Sequence, residues 1–176
     1  MLLYGAPSWA HTLDLIPGNV KLLNKTQRKI HLRCTCAYRT VSGITTNLTP
    51  PADLLARERE TEFLWRRGGP NALTKEELRK VTLSKWQARW DAVDAEDPGS
   101  WTRRLIPDVS AWCARGFGQV DFHLTQFLSG HDCFGYYLCR IKKVDQPHCV
   151  DCNDPLDNAE HSVYKCDRWW RARMEL

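Results

Sequence analysis

The sequence predicts a mostly α-helical protein that ends in a small zinc module of the CCHC type. Apolar residues recur at every third or fourth position in several stretches of the 176-residue chain, whereas no long alternating pattern typical of a half-buried β-strand occurs. Near the C-terminus, three cysteines and one histidine follow the spacing C-x2-C-x8-H-x4-C. A hydrophobic share of 43% and eight tryptophans argue against disorder along the whole length.

Three long helices are predicted in the first half of the chain. The first follows Pro17-Gly18 and runs to about residue 33, with an apolar stripe at helical spacing. The second covers residues 52–67, where Asp53 in the first turn and arginines in the last turn complement the helix dipole. Thr74 and Glu77 form a capping-box signature at the start of the third.

Tryptophans on these helices have two interpretations. Trp65, Trp86 and Trp90 could be platforms on which nucleobases stack. Their helical spacing beside leucine and valine favours a role in the hydrophobic core.

The second half is predicted to contain short helices at residues 107–115 and 121–128, and residues 134–141 form another apolar segment. His123 and His131 flank the middle part of this region and could be catalytic, but a histidine in an apolar segment is more often a hydrogen-bonded packing residue. Five cysteines outside the C-terminal motif are expected to be small apolar side chains; these are Cys34, Cys36, Cys113, Cys133 and Cys139.

Cys149, Cys152, His161 and Cys166 are the predicted metal ligands, because three thiolates and one imidazole suit a closed tetrahedral zinc site of structural type. One tight turn can aim the first two sulfurs at a single ion, and a short helix can present the other two ligands. Chance proximity and disulfide pairing remain as alternatives. The aspartates in the intervening loop are expected to form turns or to solvate it; these are Asp151, Asp154 and Asp157.

Signatures of an enzyme are scarce, and no residue of this chain is predicted to be catalytic. There is no phosphate-binding glycine-rich loop, no G-x-S-x-G and no H-E-x-x-H. The chain also shows no signal-peptide pattern and no apolar run of about 18 residues, so we expect an intracellular protein without a membrane span.

The basic residues predict binding to a polyanion. The net charge is only +4, but no acidic residue occurs between Asp14 and Asp53. The predicted phosphate-binding residues in that stretch are Lys21, Lys25, Arg28, Lys29, Arg33 and Arg39. A second predicted site for nucleic acid consists of Arg168, Arg171 and Arg173 with Trp169 and Trp170, where tryptophans could stack on unpaired bases. Alternatively, the basic stretch packs near acidic residues of a larger protein.

Several segments together resemble the region that follows the polymerase domain in non-LTR retrotransposons, and especially the type-1 elements of arthropods that insert into ribosomal RNA genes. The similar segments are residues 2–10 (LLYGAPSWA), Gln27-Arg28 with residues 37–42 (AYRTVS), residues 50–58 (PPADLLARE), residues 101–105 (WTRRL), residues 121–131 (DFHLTQFLSGH), Tyr137-Leu138, and the Cys149–Cys166 array with Arg168-Trp169. Asp132 stands where the family commonly has a glycine, and residues 41–49 are shorter and more polar than the corresponding family stretch.

The resemblance implies the C-terminal fragment of a Pol polyprotein, a reverse transcriptase with an endonuclease that acts in target-primed reverse transcription. It implies three segments: the end of a thumb/connection-like region (1–48), a helical post-polymerase region (49–144) and a CCHC zinc-knuckle-like module (145–176). The polymerase aspartates and their Mg²⁺ would lie upstream, so this fragment alone is expected to be inactive.

The partners implied by the resemblance are element RNA, target DNA and the rest of the polyprotein, in the nucleus at the site of integration. Neither a membrane nor a small-molecule substrate is implied. The alternative function is an orphan or domesticated zinc-containing interaction module with no polymerase partner. An upstream reading frame that encodes a polymerase palm would distinguish the two.

Overall fold

The computed structural model describes residues 2–41, 49–68, 73–92, 99–116 and 120–175. The chain divides into two compact units, residues 1–119 and 120–176. Within the described ranges the regular structure is helical and includes no β-strand, so the prediction of a mostly helical protein is confirmed. None of the helices in these ranges is long and apolar enough to cross a membrane.

The described part of the first unit contains the three predicted long helices and four short ones. In chain order they are α1 (Ala6–Trp9), α2 (Thr12–Leu15), α3 (Pro17–Cys34), α4 (Ala52–Arg66), α5 (Lys75–Asp91), α6 (Ser100–Leu105) and α7 (Val109–Ala114). The capping box at the start of α5 is confirmed, because the Thr74 hydroxyl accepts from the Glu77 N–H (3.2 Å) and the Glu77 carboxylate accepts from the Thr74 N–H (2.6 Å).

One hydrophobic cluster of the first unit contains mainly small side chains. Ala6, Ala10 and Ala56 are completely buried, and they let α1 lie close against α4. α4 also packs against α3 and α5. Trp86 and Trp90 are only 3% and 5% exposed, so the prediction that these two tryptophans belong to the core is confirmed and stacking on nucleobases is ruled out for them.

A buried polar network ties three helices together. The Asp53 carboxylate of α4 is 1% exposed and accepts two bonds from the Arg89 guanidinium of α5, at 2.8 and 3.1 Å. It also accepts from the Asn24 side-chain amide of α3 at 3.1 Å. Gln27 lies at helical spacing from the apolar residues Val20, Leu23 and Ile30, but its role is polar. Its side-chain oxygen accepts a hydrogen bond from the Ala52 N–H at the start of α4 (2.7 Å).

The first unit brings together stretches that the sequence assigns to different segments. Because α1 and α3 pack against α4, residues 2–41 share one unit with residues 49–116. The unit boundary lies between residues 119 and 120, so residues 120–144 fall in one unit with the CCHC motif. The segments 1–48, 49–144 and 145–176 stay predictions about the organisation of a parent protein. The predicted polar loop at 41–49 lies almost entirely outside the described residues.

The second unit begins with the predicted helix at 121–128, which is α8 (Phe122–Ser129). The apolar segment at 134–141 forms a further helix, α9 (Gly135–Arg140). The Asp121 carboxylate caps α8 by accepting from the Leu124 N–H at 2.7 Å. After a loop, the chain forms a π-helical turn (His161–Lys165), a 3-10 turn (Asp167–Trp169) and a final helix, α10 (Trp170–Met174).

Arg89→Ala should lower the free energy of unfolding by about 2 to 3 kcal/mol, because it leaves the buried Asp53 carboxylate without its cationic partner. Breaking a fully buried pair costs about 3 to 5 kcal/mol. We expect a smaller loss here because the Arg89 side chain is 49% exposed. Arg57→Ala is the matched control: it breaks an exposed pair with Asp14 (2.7 Å) and should cost less than about 1 kcal/mol in denaturant unfolding. Equal losses in the two variants would contradict the assignment of Asp53 as a buried anchor.

Candidate metal centre

The first two predicted ligands lie in one tight turn. The Cys149 carbonyl accepts from the Asn153 N–H (2.9 Å), and the Cys149 N–H donates to the Asp154 carbonyl (2.8 Å). Asn153 closes the turn with a φ of 61°, a left-handed conformation that asparagine tolerates better than most residues. Cys149 and Cys152 are thereby held in one turn, as the spacing predicts.

The other two ligands lie at the ends of the π-helical turn. His161 begins this turn, and the Cys166 N–H donates to the His161 carbonyl across five residues at 2.8 Å. The sequence predicts a short helix here; the structure has the wider π form, in which residues five apart come together. The Asn158 side chain accepts from the His161 N–H at 2.8 Å and starts the turn.

The four ligand atoms converge. They all lie within 4.8 Å of one another, with 3.8 Å between the Cys149 and Cys166 sulfurs and 3.3 Å between the Cys152 sulfur and His161 Nε2. Two sulfurs of a tetrahedral zinc site with Zn–S bonds of about 2.3 Å are separated by about 3.8 Å. All eight cysteines lie in the described ranges and none forms a disulfide there, so the disulfide alternative is not observed. The cluster is compatible with a structural zinc ion.

The pKa values of Cys166 and Cys149 shift in opposite directions. Burial raises the pKa of the Cys166 thiol to about 11, and the neighbouring Cys149 and Cys152 side chains add to the rise. Burial also acts to raise the pKa of Cys149, but the N–H groups of Asp151 and Cys152 and the His161 side chain outweigh it and lower the pKa overall. The surroundings therefore favour a thiolate at Cys149 and disfavour one at Cys166, and a divalent cation would supply positive charge that stabilises thiolates.

Residues 141–160, between α9 and the π-helical turn, form the metal-site loop. Asp157 attaches this loop to α9. One carboxylate oxygen accepts from the Gly135 N–H and the other from the Ser162 hydroxyl, both at 2.8 Å. The Asp157 carbonyl accepts from the Tyr136 N–H (2.8 Å), and its own N–H donates to the Pro147 carbonyl (2.7 Å). The sequence predicts only a turn former or a solvated acid here. Asp157 is instead a structural anchor between the loop and the helix.

Gly135 is required where α9 meets this loop. A Cβ atom added to it would lie 3.0 Å from the His148 carbonyl oxygen and 3.2 Å from both the Pro147 carbonyl oxygen and the Asp157 Cβ. Real Cβ contacts are seldom this short, and two of these neighbours are backbone atoms that cannot rotate away. The metal-site loop and α9 thus pack backbone against backbone.

The predicted phosphate-binding residues of the first unit divide into two groups. Lys21, Lys25, Lys29 and Arg33 are exposed and follow one another at four-residue spacing along α3. Arg39 is also exposed. Arg28 is half-buried and donates to the Arg39 carbonyl (2.7 Å) and the Val41 carbonyl (2.6 Å), so its guanidinium holds the chain that follows α3.

The predicted site near the C-terminus lies directly after the last ligand. Trp169 and Trp170 are 47% and 56% exposed, and Arg171 is exposed as well. The Arg168 guanidinium pairs with Asp151 at 3.1 Å and lies over the Trp169 ring at 4.9 Å. Arg168 is thus partly neutralised by an acid of the metal-site loop, whereas the two tryptophan rings remain accessible.

The packing role predicted for His131 is confirmed. Its Nδ1 lies 2.8 Å from the Ser129 carbonyl, its Nε2 lies 3.2 Å from an Arg140 nitrogen, and its ring contacts Tyr137. Burial lowers the pKa of His131, which favours the neutral ring. The next residue, Asp132, has a φ of 120°, a conformation that favours glycine, so an aspartate strains the backbone there.

The remaining cysteines do not all pack as expected. Cys139 is half-buried, but Cys34, Cys36, Cys113 and Cys133 are exposed, and for these four the prediction of a buried apolar role is wrong. His123 is exposed too, with its ring against the edge of Phe122. Cys34 is the last residue of α3, and Cys36 and Cys133 lie outside the helices, so helical spacing does not determine their exposure.

Comparison of the chain with protein-family models, with curated proteins and with solved structures finds no match. The geometry of the cluster and the distribution of charge therefore carry the functional interpretation.

Gly135→Ala should destabilise the second unit by about 1 to 3 kcal/mol, because the added methyl group is forced against fixed backbone atoms. Amide hydrogen exchange in α9 measures this loss within the full chain. Gly18→Ala in α3 is the matched control, since a Cβ there meets nothing within 4 Å and should leave stability unchanged or raise it slightly. Unchanged protection of α9 in Gly135→Ala would contradict the close packing.

Proposed function

We propose that this chain is a nucleic-acid-binding region stabilised by one structural zinc ion at Cys149, Cys152, His161 and Cys166. The observation that carries the zinc assignment is the convergence of the four ligand atoms within 4.8 Å. With three thiolates and one imidazole, the ion would have no open coordination position, so its role is to hold the fold and not to catalyse.

The parent protein that we propose is the Pol polyprotein of a non-LTR retrotransposon, a reverse transcriptase with an endonuclease. The resemblance of the segments between residues 2 and 169 supports this proposal, and the convergence of the four predicted metal ligands agrees with it. In that setting the chain would act in target-primed reverse transcription, in the nucleus, by binding element RNA or target DNA next to the polymerase.

The basic row on α3 is the first proposed binding surface. Lys21, Lys25, Lys29 and Arg33 span about 18 Å along the helix, at a rise of about 1.5 Å per residue. Lysine and arginine side chains neutralise phosphates and release counterions, without reading sequence. Arg28 is left out of this surface because it holds the backbone at residues 39 and 41.

The second proposed surface follows the last metal ligand. Trp170 and Arg171 are exposed, and Trp169 beside Arg168 offers a further ring on which an unpaired base can stack. Cys166 lies two residues before Arg168, so the metal site would position this surface. Exposed apolar side chains near it favour the second candidate function, a zinc-containing interaction module that binds a protein; these are Val163, Tyr164 and Met174.

Purified protein should contain about one zinc ion per chain, and Cys166→Ser should lose it, because three remaining ligands bind far more weakly. Metal analysis of the refolded protein measures this. Cys34→Ser is the matched control, since this exposed thiol lies outside the cluster and should leave the zinc content unchanged. Full zinc content in a Cys149→Ser, Cys152→Ser double variant would disprove the assignment.

Replacing Lys21, Lys25 and Lys29 together with alanine should weaken binding to single-stranded RNA. It should also reduce the slope of log affinity against log salt by about two to three units, if each lysine contacts one phosphate. Fluorescence anisotropy at several salt concentrations measures both. A triple alanine variant at Lys75, Lys80 and Lys85 removes the same charge from exposed positions of α5 and is the matched control. If both variants change the slope equally, the row on α3 is not the binding surface.

A further inference from the structure

One nitrogen of the predicted zinc ligand His161 is buried without a partner. His161 is only 4% exposed, and its Nδ1 has no hydrogen-bond partner within the described ranges. Its other nitrogen, Nε2, faces the Cys152 sulfur at 3.3 Å. A buried polar atom left unsatisfied is costly, so an unpaired ring nitrogen beside a ligand cluster calls for an explanation.

The Asp154 carboxylate is the charged group that faces this nitrogen. Its Oδ2 lies 3.5 Å from His161 Nδ1. The rest of Asp154 is fixed: Oδ1 accepts from the Leu156 N–H at 3.0 Å, and the carbonyl accepts from the Cys149 N–H at 2.8 Å. Asp154 therefore sits in the turn that carries the two cysteines while its side chain reaches toward the histidine.

We propose that Asp154 is a positioning residue of the zinc site, which accepts a hydrogen bond from His161 Nδ1–H when the metal is bound. The bond keeps the proton on Nδ1 and leaves the Nε2 lone pair for the metal, and it makes the imidazole a better donor. The observed separation exceeds an ordinary hydrogen bond by about 0.5 Å, which a small rotation of the half-exposed carboxylate can close. This inference rests on the proposed zinc site.

The three aspartates of the loop then have three different roles. Asp157 anchors the loop to α9, as its bonds to Gly135 and Ser162 show. Asp151 is paired with Arg168 on the surface. Asp154 is the one whose carboxylate faces a ligand, and this separates it from a mere turn former.

Asp154→Asn is the decisive variant. Asparagine keeps an oxygen for the Leu156 N–H, but it then turns an amide NH₂, a donor, toward His161 Nδ1. Asp151→Asn is the matched control, because it makes the same charge change in the same loop and does not face the histidine. Zinc affinity of the full chain is measured by competition with a chelator of known affinity. We expect Asp154→Asn to bind zinc about 10- to 100-fold more weakly than wild type, and Asp151→Asn at most about fivefold more weakly.

Wild-type binding with equal affinities in the two variants would overturn the role of Asp154 and leave the zinc site intact. Absence of zinc binding by the wild type would overturn both proposals. A second measurement needs no variant: long-range ¹H–¹⁵N correlation spectra of the zinc-bound protein should show His161 protonated at Nδ1, with a proton that exchanges slowly with solvent. A proton on Nε2, or a metal bond at Nδ1, would overturn the inference whatever the variants show.

Discussion

The second unit depends on the bonds that Asp157 makes between the metal-site loop and α9. Its carboxylate and its main chain together contact Gly135, Tyr136, Pro147 and Ser162, so one residue joins the start of a helix to both sides of the loop. The absence of a side chain at Gly135 allows this approach. The loop that carries the Cys/His cluster is therefore packed against α9 and hydrogen-bonded to it. A metal ion that fixes the loop would also stabilise α9, because the two share these bonds.

Local signals in the sequence predicted the long helices and the convergence of the four Cys/His side chains. The capping box at Thr74 and the Cys149–Cys152 turn are each encoded within a few residues, where spacing decides the geometry. Contacts between distant residues could not be read in this way. Asp53 and Arg89 are 36 residues apart, and Gly135 and Asp157 are 22 apart, so only the folded chain shows that these groups meet. Gln27 was hidden for a related reason: its place in an apolar stripe conceals its polar partners at the start of α4.

Basic residues of the same stretch differ in their surroundings, and we propose binding only for those that remain exposed. On α3, Arg28 donates hydrogen bonds to the backbone that follows the helix. The exposed residues of the row are Lys21, Lys25, Lys29 and Arg33. Near the C-terminus, the Arg168 guanidinium forms an ion pair with Asp151 and lies over the Trp169 ring. The proposed contacts with nucleic acid therefore rest on fewer residues than the sequence suggests, and the resemblance to a retrotransposon polyprotein supplies the biological setting that we propose for them.

We propose that a metal ion at the Cys/His cluster would stabilise the whole second unit through the bonds of Asp157. Amide hydrogen exchange of the full chain, compared with and without zinc, tests this most directly. We expect zinc removal to reduce protection in α8, in α9 and in the loop from residue 145 onward, while protection in α3 is unchanged. Equal protection of α9 in the two states would contradict the claim.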